Sequence, residues 1–240
     1  MSNLKDKNIV IIGAGGGFGQ AVAGKLAAEG ATLALGDLDM AMLEPVAKSA
    51  QQQGAAKVVT GAVNVTVESE VEAFFGNIKG ELQQADILLY LPGVSVASPI
   101  TDMAEADYDR IVDVNLKGLF LAAKYFLPLT VPDRNPLLAF ISSQAATRAN
   151  PNAPVYCAAK AAVSMLGQGL ALQAMPGNVR VTAFKPGPVD TQGFWGNRPV
   201  PREKFMKADD VAEVIRFTLA LPEYIVMHEV SFESFAFLKK

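Results

Sequence analysis

The sequence predicts one α/β domain in which a mostly parallel sheet of about seven strands is covered by helices on both faces. Short apolar runs, the first at residues 9–12, alternate with longer amphipathic segments such as residues 67–82. This alternation is typical of a doubly wound fold, because parallel strands buried on both faces are continuously apolar and are joined by helices. A chain of 240 residues that is 50% hydrophobic is long enough to bury one core. We therefore expect residues 1–240 to form a single domain.

The first unit of the chain is a strand, a glycine-rich turn and a helix. Residues 9–12 lead into Gly13, Gly17 and Gly19, which follow the pattern G-x-x-x-G-x-G, and Phe18 opens the apolar face of the helix. Without a Cβ atom the backbone can turn sharply and approach a pyrophosphate, whose charge the helix N-terminus stabilises. The unit therefore predicts a dinucleotide-binding site.

The second strand, residues 32–36, ends at Asp37. A carboxylate at this place can accept hydrogen bonds from the ribose hydroxyls of a nucleotide, and it repels a 2′-phosphate. No Arg or Lys lies in the glycine loop or directly after Asp37, so this stretch offers a 2′-phosphate no cation. NAD is therefore favoured as the cofactor over NADP. The alternative is that Asp37 caps the next helix, residues 40–53, a role that Asp39 could equally fill.

The same periodicities predict the rest of the chain. We expect strands at residues 57–61, 86–91, 137–141 and 179–184, helices at residues 67–82, 107–130, 155–175 and 208–221, and an alternating strand in the tail, residues 223–240. Gly177 is expected to end its helix, because glycine adopts the left-handed conformation that closes helices.

Composition excludes several classes of function. The net charge of −3 and the pI near 5.3 come without basic clusters, which argues against a nucleic-acid or anionic-membrane surface. Cys157 is the only cysteine, and the N-terminus leads straight into a strand without room for a signal peptide, so we expect a cytoplasmic protein. The apolar stretch 116–131 contains Lys117, Lys124 and Pro128, which indicates a buried helix. No spacing of His, Cys or carboxylates suggests a metal.

Acid-base chemistry is predicted where the strand at residues 137–141 ends. Ser143 follows that strand, and Tyr156 and Lys160 lie four residues apart on one face of the next helix. A cation within ~4 to 6 Å lowers the pKa of a tyrosine from its usual value near 10, so that the phenol can exchange a proton with a carbonyl or alcohol oxygen. The alternative is a core tyrosine beside a lysine that extends to solvent.

The spacing of these residues resembles the short-chain dehydrogenase/reductase family. In that family a Ser lies 13 residues before the Tyr of a Tyr-x-x-x-Lys motif, as Ser143 does before Tyr156, and an Asn in an earlier helix completes a tetrad. Asn115 occupies the matching place. The resemblance implies a Rossmann-like NAD(P)-binding domain that also carries the catalytic residues, and hydride transfer between nicotinamide and an alcohol or carbonyl substrate.

The resemblance also implies further contacts with the cofactor. Besides Tyr156 and Lys160, the expected contacts are Gly13, Gly17, Phe18, Gly19, Asp37, Asn64, Val65, Gly93, Pro186, Gly187, Val189 and Thr191. Residues 192–206 are the expected short substrate lid.

Several positions depart from the family pattern. Ile12 replaces the Thr that usually precedes the first glycine, and Asn64 replaces an Asp. The usual Asn-Asn-Ala-Gly is Tyr90-Leu91-Pro92-Gly93 here, so the amides that support the sheet and the cofactor ribose are missing. These departures motivate an alternative hypothesis, a cofactor-binding regulatory or scaffold protein of the same fold with little turnover.

A serine hydrolase is a further alternative, because His228, the only histidine, lies late in the chain as a Ser, Asp, His order requires. The nucleophile elbow G-x-S-x-G is absent, however. The sequence therefore favours the oxidoreductase.

Assembly and substrate are the last expectations. The small residues of the 155–175 helix and the apolar segment 116–129 predict a homodimer or homotetramer, since the family builds its interface from matching helices. The partner is a small alcohol or carbonyl compound, and its character stays open between two sets of residues. Phe194, Trp195, Val94, Val96 and Ala145 would suit an apolar substrate, whereas Gln144, Gln192 and Arg148 would suit a polar one.

Overall fold

The computed structural model describes residues 4–191 and 193–239. Nine strands are found in that part of the chain. They are β1 Asn8–Ile12, β2 Thr32–Asp37, β3 Lys57–Ala62, β4 Ile87–Tyr90, β5 Leu137–Ile141, β6 Arg180–Pro186, β7 Val189–Asp190, β8 Met206–Lys207 and β9 Glu229–Phe232.

Eight α-helices are found in the same residues. They are α1 Gly19–Ala28, α2 Met40–Gln53, α3 Glu68–Leu82, α4 Glu105–Val112, α5 Gly118–Phe126, α6 Pro154–Ala174, α7 Ala208–Leu219 and α8 Phe235–Leu238. A π-helical turn, Asp113–Lys117, joins α4 to α5.

Seven strands form one parallel sheet in the order β3-β2-β1-β4-β5-β6-β9, and β7 and β8 pair separately. The chain winds from β1 outward to β3, then returns to place β4 on the other side of β1. The strand order therefore reverses between β1 and β4. Ligands of doubly wound sheets bind in the crevice outside the carboxyl ends of the strands at such a point.

The core lies on both faces of the sheet, because successive side chains of a strand point to opposite faces. In β1, Ile9 and Ile11 pack with the apolar cluster that includes α1, α2 and α7, while Val10 and Ile12 pack with the cluster that includes α3, α5 and α6. All four side chains are fully buried. The predicted doubly wound α/β fold is confirmed.

The structure corrects three boundaries. The helix expected at residues 107–130 begins at Glu105 and contains the π-helical turn, which a sequence period of 3.6 does not reveal. Asn178, with φ 58°, adopts the left-handed conformation expected of Gly177. The tail expected to be a strand contains only β9 and then turns into α8; Lys240 lies outside the described residues.

One helical segment of the described chain, Pro154–Gly177, has the length and mean hydropathy, 1.3, of a membrane span. It packs against the sheet, and its Lys160 is buried, 2% exposed. One face of the helix therefore belongs to the core, while 39% of its most apolar window is buried.

Candidate active site

The glycine-rich turn lies between β1 and α1, where the strand order reverses. Gly13, with φ +83°, and Gly17, with φ +50°, adopt left-handed conformations that disfavour other residues. The backbone amides of Gly13 and Ala14 donate to the carbonyl oxygen of Gly36, at 2.8 and 3.1 Å. A Cβ atom at Gly19 would overlap the carbonyl oxygen of Gly13. The turn is therefore closed by backbone contacts that require glycine.

Asp37 lies beside this turn and holds it. Its carboxylate accepts hydrogen bonds from the amide of Gly15, at 2.9 Å, and from the amide of Leu38, at 2.8 Å. Asp39, not Asp37, caps α2, by accepting from the amide of Ala41 at 2.8 Å. The alternative role considered for Asp37 therefore belongs to Asp39. The hydrogen bond from Gly15 to Asp37 was not predicted, because it joins the glycine-rich turn to the end of a different strand, β2.

Asn64 and Val65 follow β3 and face the same cleft. The Asn64 side-chain oxygen accepts from the amide and the hydroxyl of Thr66, at 3.0 and 2.8 Å. The side chain therefore shapes the turn that precedes α3.

Ser143, Tyr156 and Lys160 come together at the other end of the cleft. The Ser143 hydroxyl accepts from the amide of Ala145, at 3.1 Å, which fixes the turn that follows β5. Tyr156 is half-buried on α6, and the Lys160 ammonium one turn later lies 5.8 Å from the centre of its ring. Lys160 donates to the carbonyl oxygen of Ile141, at 2.8 Å.

Burial dominates the electrostatics of this pair. It raises the pKa of Tyr156 to about 12, while a hydrogen bond with Ser143 and the charge of Arg198 act in the opposite direction. Burial also lowers the pKa of Lys160 to about 7. The expected lowering of the Tyr156 pKa by Lys160 is therefore absent from this structure. Burial removes water from both side chains and so destabilises the phenolate of Tyr156 and the ammonium of Lys160. The Lys160 ammonium donates its hydrogen bond to a backbone carbonyl and not to the phenol oxygen.

Asn115 lies on the π-helical turn, behind Gly93. Its side-chain amide donates to the carbonyl oxygens of Val94, at 2.9 Å, and Ile111, at 2.8 Å. Its side-chain oxygen is buried and has no hydrogen-bond partner among residues 4–191 and 193–239. A Cβ atom at Gly93 would lie 3.2 Å from both this oxygen and the Lys160 nitrogen. Such an unpaired buried oxygen is unusual, and it marks a polar position next to the cleft.

Tyr90 takes the place of the first missing amide of the Asn-Asn-Ala-Gly pattern. It is fully buried, and its hydroxyl donates to the carbonyl oxygen of Val114, at 2.5 Å. A Cβ atom at Gly118 would overlap that hydroxyl, so Gly118 makes room for it. Tyr90 thus ties the end of β4 to the π-helical turn that carries Asn115. This role of Tyr90 could not be predicted from the sequence, because it depends on the close approach of Gly118, 28 residues further along the chain.

Residues 186–191 complete the wall of the cleft after β6. The carbonyl oxygen of Val189 accepts from the amide of Thr191, at 3.0 Å, and from the indole nitrogen of Trp195, at 2.7 Å. The second bond holds Trp195, in the predicted lid, against this wall. Gln192, the first residue of the predicted lid, lies outside the described residues.

A continuous row of aromatic side chains leads from Tyr156 across the predicted lid to the C-terminal helix α8. Neighbouring ring centres lie 4.9–6.0 Å apart. The aromatic row consists of Tyr156, Phe194, Trp195, Phe205 and Phe237. Sequence reasoning missed Phe237, because the tail was expected to be a strand.

One cleft of about 1060 Å³ joins these groups. All predicted cofactor contacts line it, as do Ser143, Tyr156 and Lys160, whereas Asn115 lies one layer behind. His228 lines a second cavity, of about 380 Å³, together with Ser164 and Glu229. Ser143 and His228 therefore do not share a site. No group of three or more His, Cys, Asp or Glu within residues 4–191 and 193–239 could hold a metal ion.

Comparison with known proteins identifies the family. The model of the short chain dehydrogenase family matches residues 7–199. The chain belongs to this family. An uncharacterized oxidoreductase of Staphylococcus aureus strain MRSA252 is 32% identical over 231 residues, which cover 96% of this chain and 98% of that protein. The protein is thus an oxidoreductase of the short chain dehydrogenase family, and the predicted resemblance is confirmed.

Two solved structures are similar to this chain over nearly its whole length. An alcohol dehydrogenase from the archaeon Thermococcus sibiricus, complexed with 5-hydroxy-NADP, has a TM-score of 0.89 and 28% identity, with 96% of this chain and 97% of that chain covered. A 3-ketoacyl-(acyl-carrier-protein) reductase from Brucella melitensis, complexed with NADH, has a TM-score of 0.84 and 27% identity, with 97% and 99% covered. Proteins of this fold thus accept either dinucleotide.

The cleft fits a nicotinamide dinucleotide. No atom lies within 4 Å of the place where a Cβ atom of Gly17 would be, so the turn is open toward the cleft. Asp37 supplies a carboxylate at one edge of the cleft, and the Asn115 oxygen lies near the end that contains Lys160. At about 1060 Å³ the cleft is slightly larger than the usual range for ligand sites, ~300 to 1,000 Å³, which leaves room for a dinucleotide and a substrate.

Proposed function

We propose that the protein is an NAD-preferring oxidoreductase that transfers a hydride between nicotinamide and the carbon of an alcohol or carbonyl substrate, with Tyr156 as the general acid and base. The observation that carries this proposal is the single cleft that joins the glycine turn to the hydroxyls of Ser143 and Tyr156. A phenol and a second hydroxyl at one end of a dinucleotide cleft suit proton transfer at an oxygen atom.

Each catalytic side chain has a separate task. The nicotinamide ring, when bound, supplies or accepts the hydride. In the reducing direction Tyr156 gives its proton to the substrate oxygen, and the Ser143 hydroxyl donates a hydrogen bond to that oxygen. The Lys160 ammonium, when protonated, stabilises the phenolate that remains. Asn115 holds the carbonyl groups of Val94 and Ile111, and so positions the loop in front of Lys160.

The preference for NAD rests on Asp37. Its carboxylate faces the cleft beside the glycine turn and is anchored by the amides of Gly15 and Leu38. A 2′-phosphate near this carboxylate is repelled, whereas ribose hydroxyls donate to it.

Replacing Tyr156 by Phe tests the mechanism. Tyr156→Phe keeps the ring and its contact with Phe194 but removes the proton donor. Turnover should fall by ~10² to 10⁴-fold, the usual contribution of a positioned acid-base group. NADH oxidation with a panel of ketones measures turnover, and NADH fluorescence measures binding, which should change little.

Tyr125→Phe is a matched control, because Tyr125 is outside the cleft and its hydroxyl contacts Glu68 at 3.1 Å. It should leave turnover unchanged. A Tyr156→Phe protein with full activity would refute the mechanism. NADH binding without turnover across a broad panel would favour the regulatory or scaffold hypothesis instead.

We further propose a cytoplasmic homo-oligomer, a dimer or tetramer, that acts on small molecules and not on nucleic acid or membranes. Large apolar side chains on α5 and α6 support the assembly: Phe120, Met165 and Leu172 are 50%, 66% and 73% exposed. Large apolar side chains exposed to this degree are typical of surfaces that are covered by a partner. Light scattering at micromolar concentration should give at least twice 25.4 kDa, and Leu172→Glu should lower that mass. A monomeric native protein would contradict the assembly.

A further inference from the structure

We propose that the protein acts on carbonyl compounds whose non-reacting part is apolar, and that residues 233–239 of the same chain set this preference. These residues are called the C-terminal segment. This inference rests on the proposed function and names the substrate class of that site. It decides between the two sets of residues, apolar and polar, that the sequence left open.

The C-terminal segment neutralises the cation at the catalytic end of the cleft. One terminal nitrogen of Arg148 donates to both carboxylate oxygens of Glu233, at 2.9 and 2.7 Å. The Glu233 side chain is only 15% exposed, whereas the Arg148 side chain is 54% exposed, so the carboxylate is the shielded partner of the pair. A substrate carboxylate that approaches Arg148 is repelled by the neighbouring carboxylate of Glu233. Arg148, the residue that would best bind an anionic substrate, is therefore already paired with Glu233 of the same chain.

Gln144, the second polar residue that could bind a substrate, is also hydrogen-bonded within the chain. The Gln144 side-chain nitrogen donates to the hydroxyl of Ser231, at 2.5 Å, and to the carbonyl oxygen of Lys185, at 3.2 Å. Both hydrogens of the amide are used, so none is left to donate to a substrate. Gln192, the third polar candidate, lies outside the described residues.

The fold makes room for these contacts. A Cβ atom at Gly187, which follows β6, would overlap the Glu233 side chain. The Gly187 amide donates to the carbonyl oxygen of Phe232, at 2.8 Å, where β9 ends and the segment begins. The segment thus continues from a paired strand, and its position is fixed by the sheet.

The same segment adds apolar surface to the cleft. Phe237 lines the cleft and packs on Phe205, with ring centres 5.7 Å apart. Phe194 and Trp195 continue this surface to Tyr156. The indole nitrogen of Trp195 donates to the carbonyl oxygen of Val189, so its one polar hydrogen is not free for a substrate. Aromatic faces of this kind favour aromatic or bulky aliphatic groups.

Two further arginines belong to this region. Arg198 is not among the described residues that line the cleft; its guanidinium stacks on Phe194 and Trp195, 5.5 and 5.0 Å from the ring centres, and donates to their carbonyl oxygens. Arg110 lines the cleft from α4 and is exposed to solvent. A charge that is exposed to water attracts an anion weakly. Arg110 should therefore contribute less to substrate binding than the aromatic surface does.

Two methyl ketones test the inference: 4-phenylbutan-2-one and 4-oxopentanoate share the reacting carbonyl and the two-carbon linker, and they differ in a phenyl or carboxylate end. The native protein should reduce the phenyl ketone with the higher kcat/KM, by about tenfold or more. Phe237→Ala should remove most of this advantage, mainly through KM. Phe235→Ala is the matched control, since Phe235 lies on α8 but is 70% exposed and outside the cleft. This variant should leave kcat/KM for both ketones unchanged.

Glu233→Gln supplies the reverse test. Without its carboxylate partner Arg148 is able to bind the acid, so kcat/KM for 4-oxopentanoate should rise several-fold, and adding Arg148→Gln should cancel the rise. A native preference for 4-oxopentanoate would overturn the inference while leaving the proposed oxidoreductase intact, and Arg110→Gln would then show whether Arg110 binds the acid.

Binding is measured independently of turnover, because Trp195 is the only tryptophan of the chain. Trp195 fluorescence in the NADH-bound protein should report tighter binding of the phenyl ketone than of the acid, and Phe237→Ala should weaken it. Equal or reversed affinities would refute the inference. Tight, selective binding without NADH oxidation would support the subsite and refute the proposed function.

Discussion

The two ends of the cleft are built in different ways. At the glycine-turn end, backbone amides make the decisive contacts, with Gly36 and with the carboxylate of Asp37. At the catalytic end, side chains from distant segments make them: Gln144 and Ser231 are 87 residues apart in sequence, and Arg148 and Glu233 are 85 apart.

This difference has a structural cause. A turn that approaches a dinucleotide needs backbone without side chains, so its design is local and is visible as glycines. A substrate wall needs particular side chains, which the sheet can bring from any part of the chain. We therefore expect changes at the first end to affect stability and cofactor binding together, and changes at the second to affect the lid and substrate selection.

Gly19→Ala should have the largest effect. Its Cβ atom would overlap the Gly13 carbonyl oxygen, so the turn must move. Overpacking of this kind costs about 1–3 kcal/mol, and the free energy of unfolding in urea should fall by that amount. NADH binding should weaken in parallel.

Gly16→Ala is the control for that variant, since the nearest atom to its Cβ position is a flexible Met42 carbon at 3.9 Å. It should change the free energy of unfolding little. Equal losses in the two variants would mean that the turn is not held by close backbone contact.

Asp37→Ala should have an intermediate effect. The ratio of NADPH to NADH dissociation constants should fall about tenfold, because a hydrogen bond to a charged group contributes about 1.5–3 kcal/mol. Fluorescence titration with both cofactors measures the ratio. Asp39→Ala should instead cost about 1 kcal/mol of stability through the lost helix cap and leave the ratio unchanged. Tighter binding of NADPH by the native protein would contradict the proposed preference.

Trp195→Phe should have the smallest effect. It removes the 2.7 Å bond to Val189 but keeps an aromatic ring in the lid. A neutral hydrogen bond contributes about 1 kcal/mol, so the lid should open up to about fivefold more often, measured as faster limited proteolysis within it. The melting temperature should stay within about one degree, since the bond is local. A large drop in the melting temperature would show that the lid stabilises the whole domain.

Much of the cofactor end could be predicted from the sequence, because its signals are local. The spacing of Gly13, Gly17 and Gly19 after an apolar run indicated a strand, a turn and a helix, and the fold confirms that order. The register of Tyr156 and Lys160 on one helix likewise followed from their separation of four residues. In each case the physical cause acts within a few residues.

The rest was decided by tertiary structure. The link from Tyr90 to Val114 and the bond from Asp37 to Gly15 join elements whose proximity depends on strand order. Burial raised the pKa of Tyr156, although the nearby lysine had predicted the opposite.

The C-terminal tail shows most clearly the difference between what the sequence predicted and what the tertiary structure decided. Its alternating residues predicted a strand, and β9 is one, but the chain then turns into α8 and places Phe237 in the cleft. By itself the sequence determined the doubly wound fold and the order of the proposed site residues along it, since periodicity and glycine act locally. Only the tertiary structure decided which polar side chains of the cleft are engaged within the chain, because their partners Ser231 and Glu233 are brought to them by the pairing of β9 with β6.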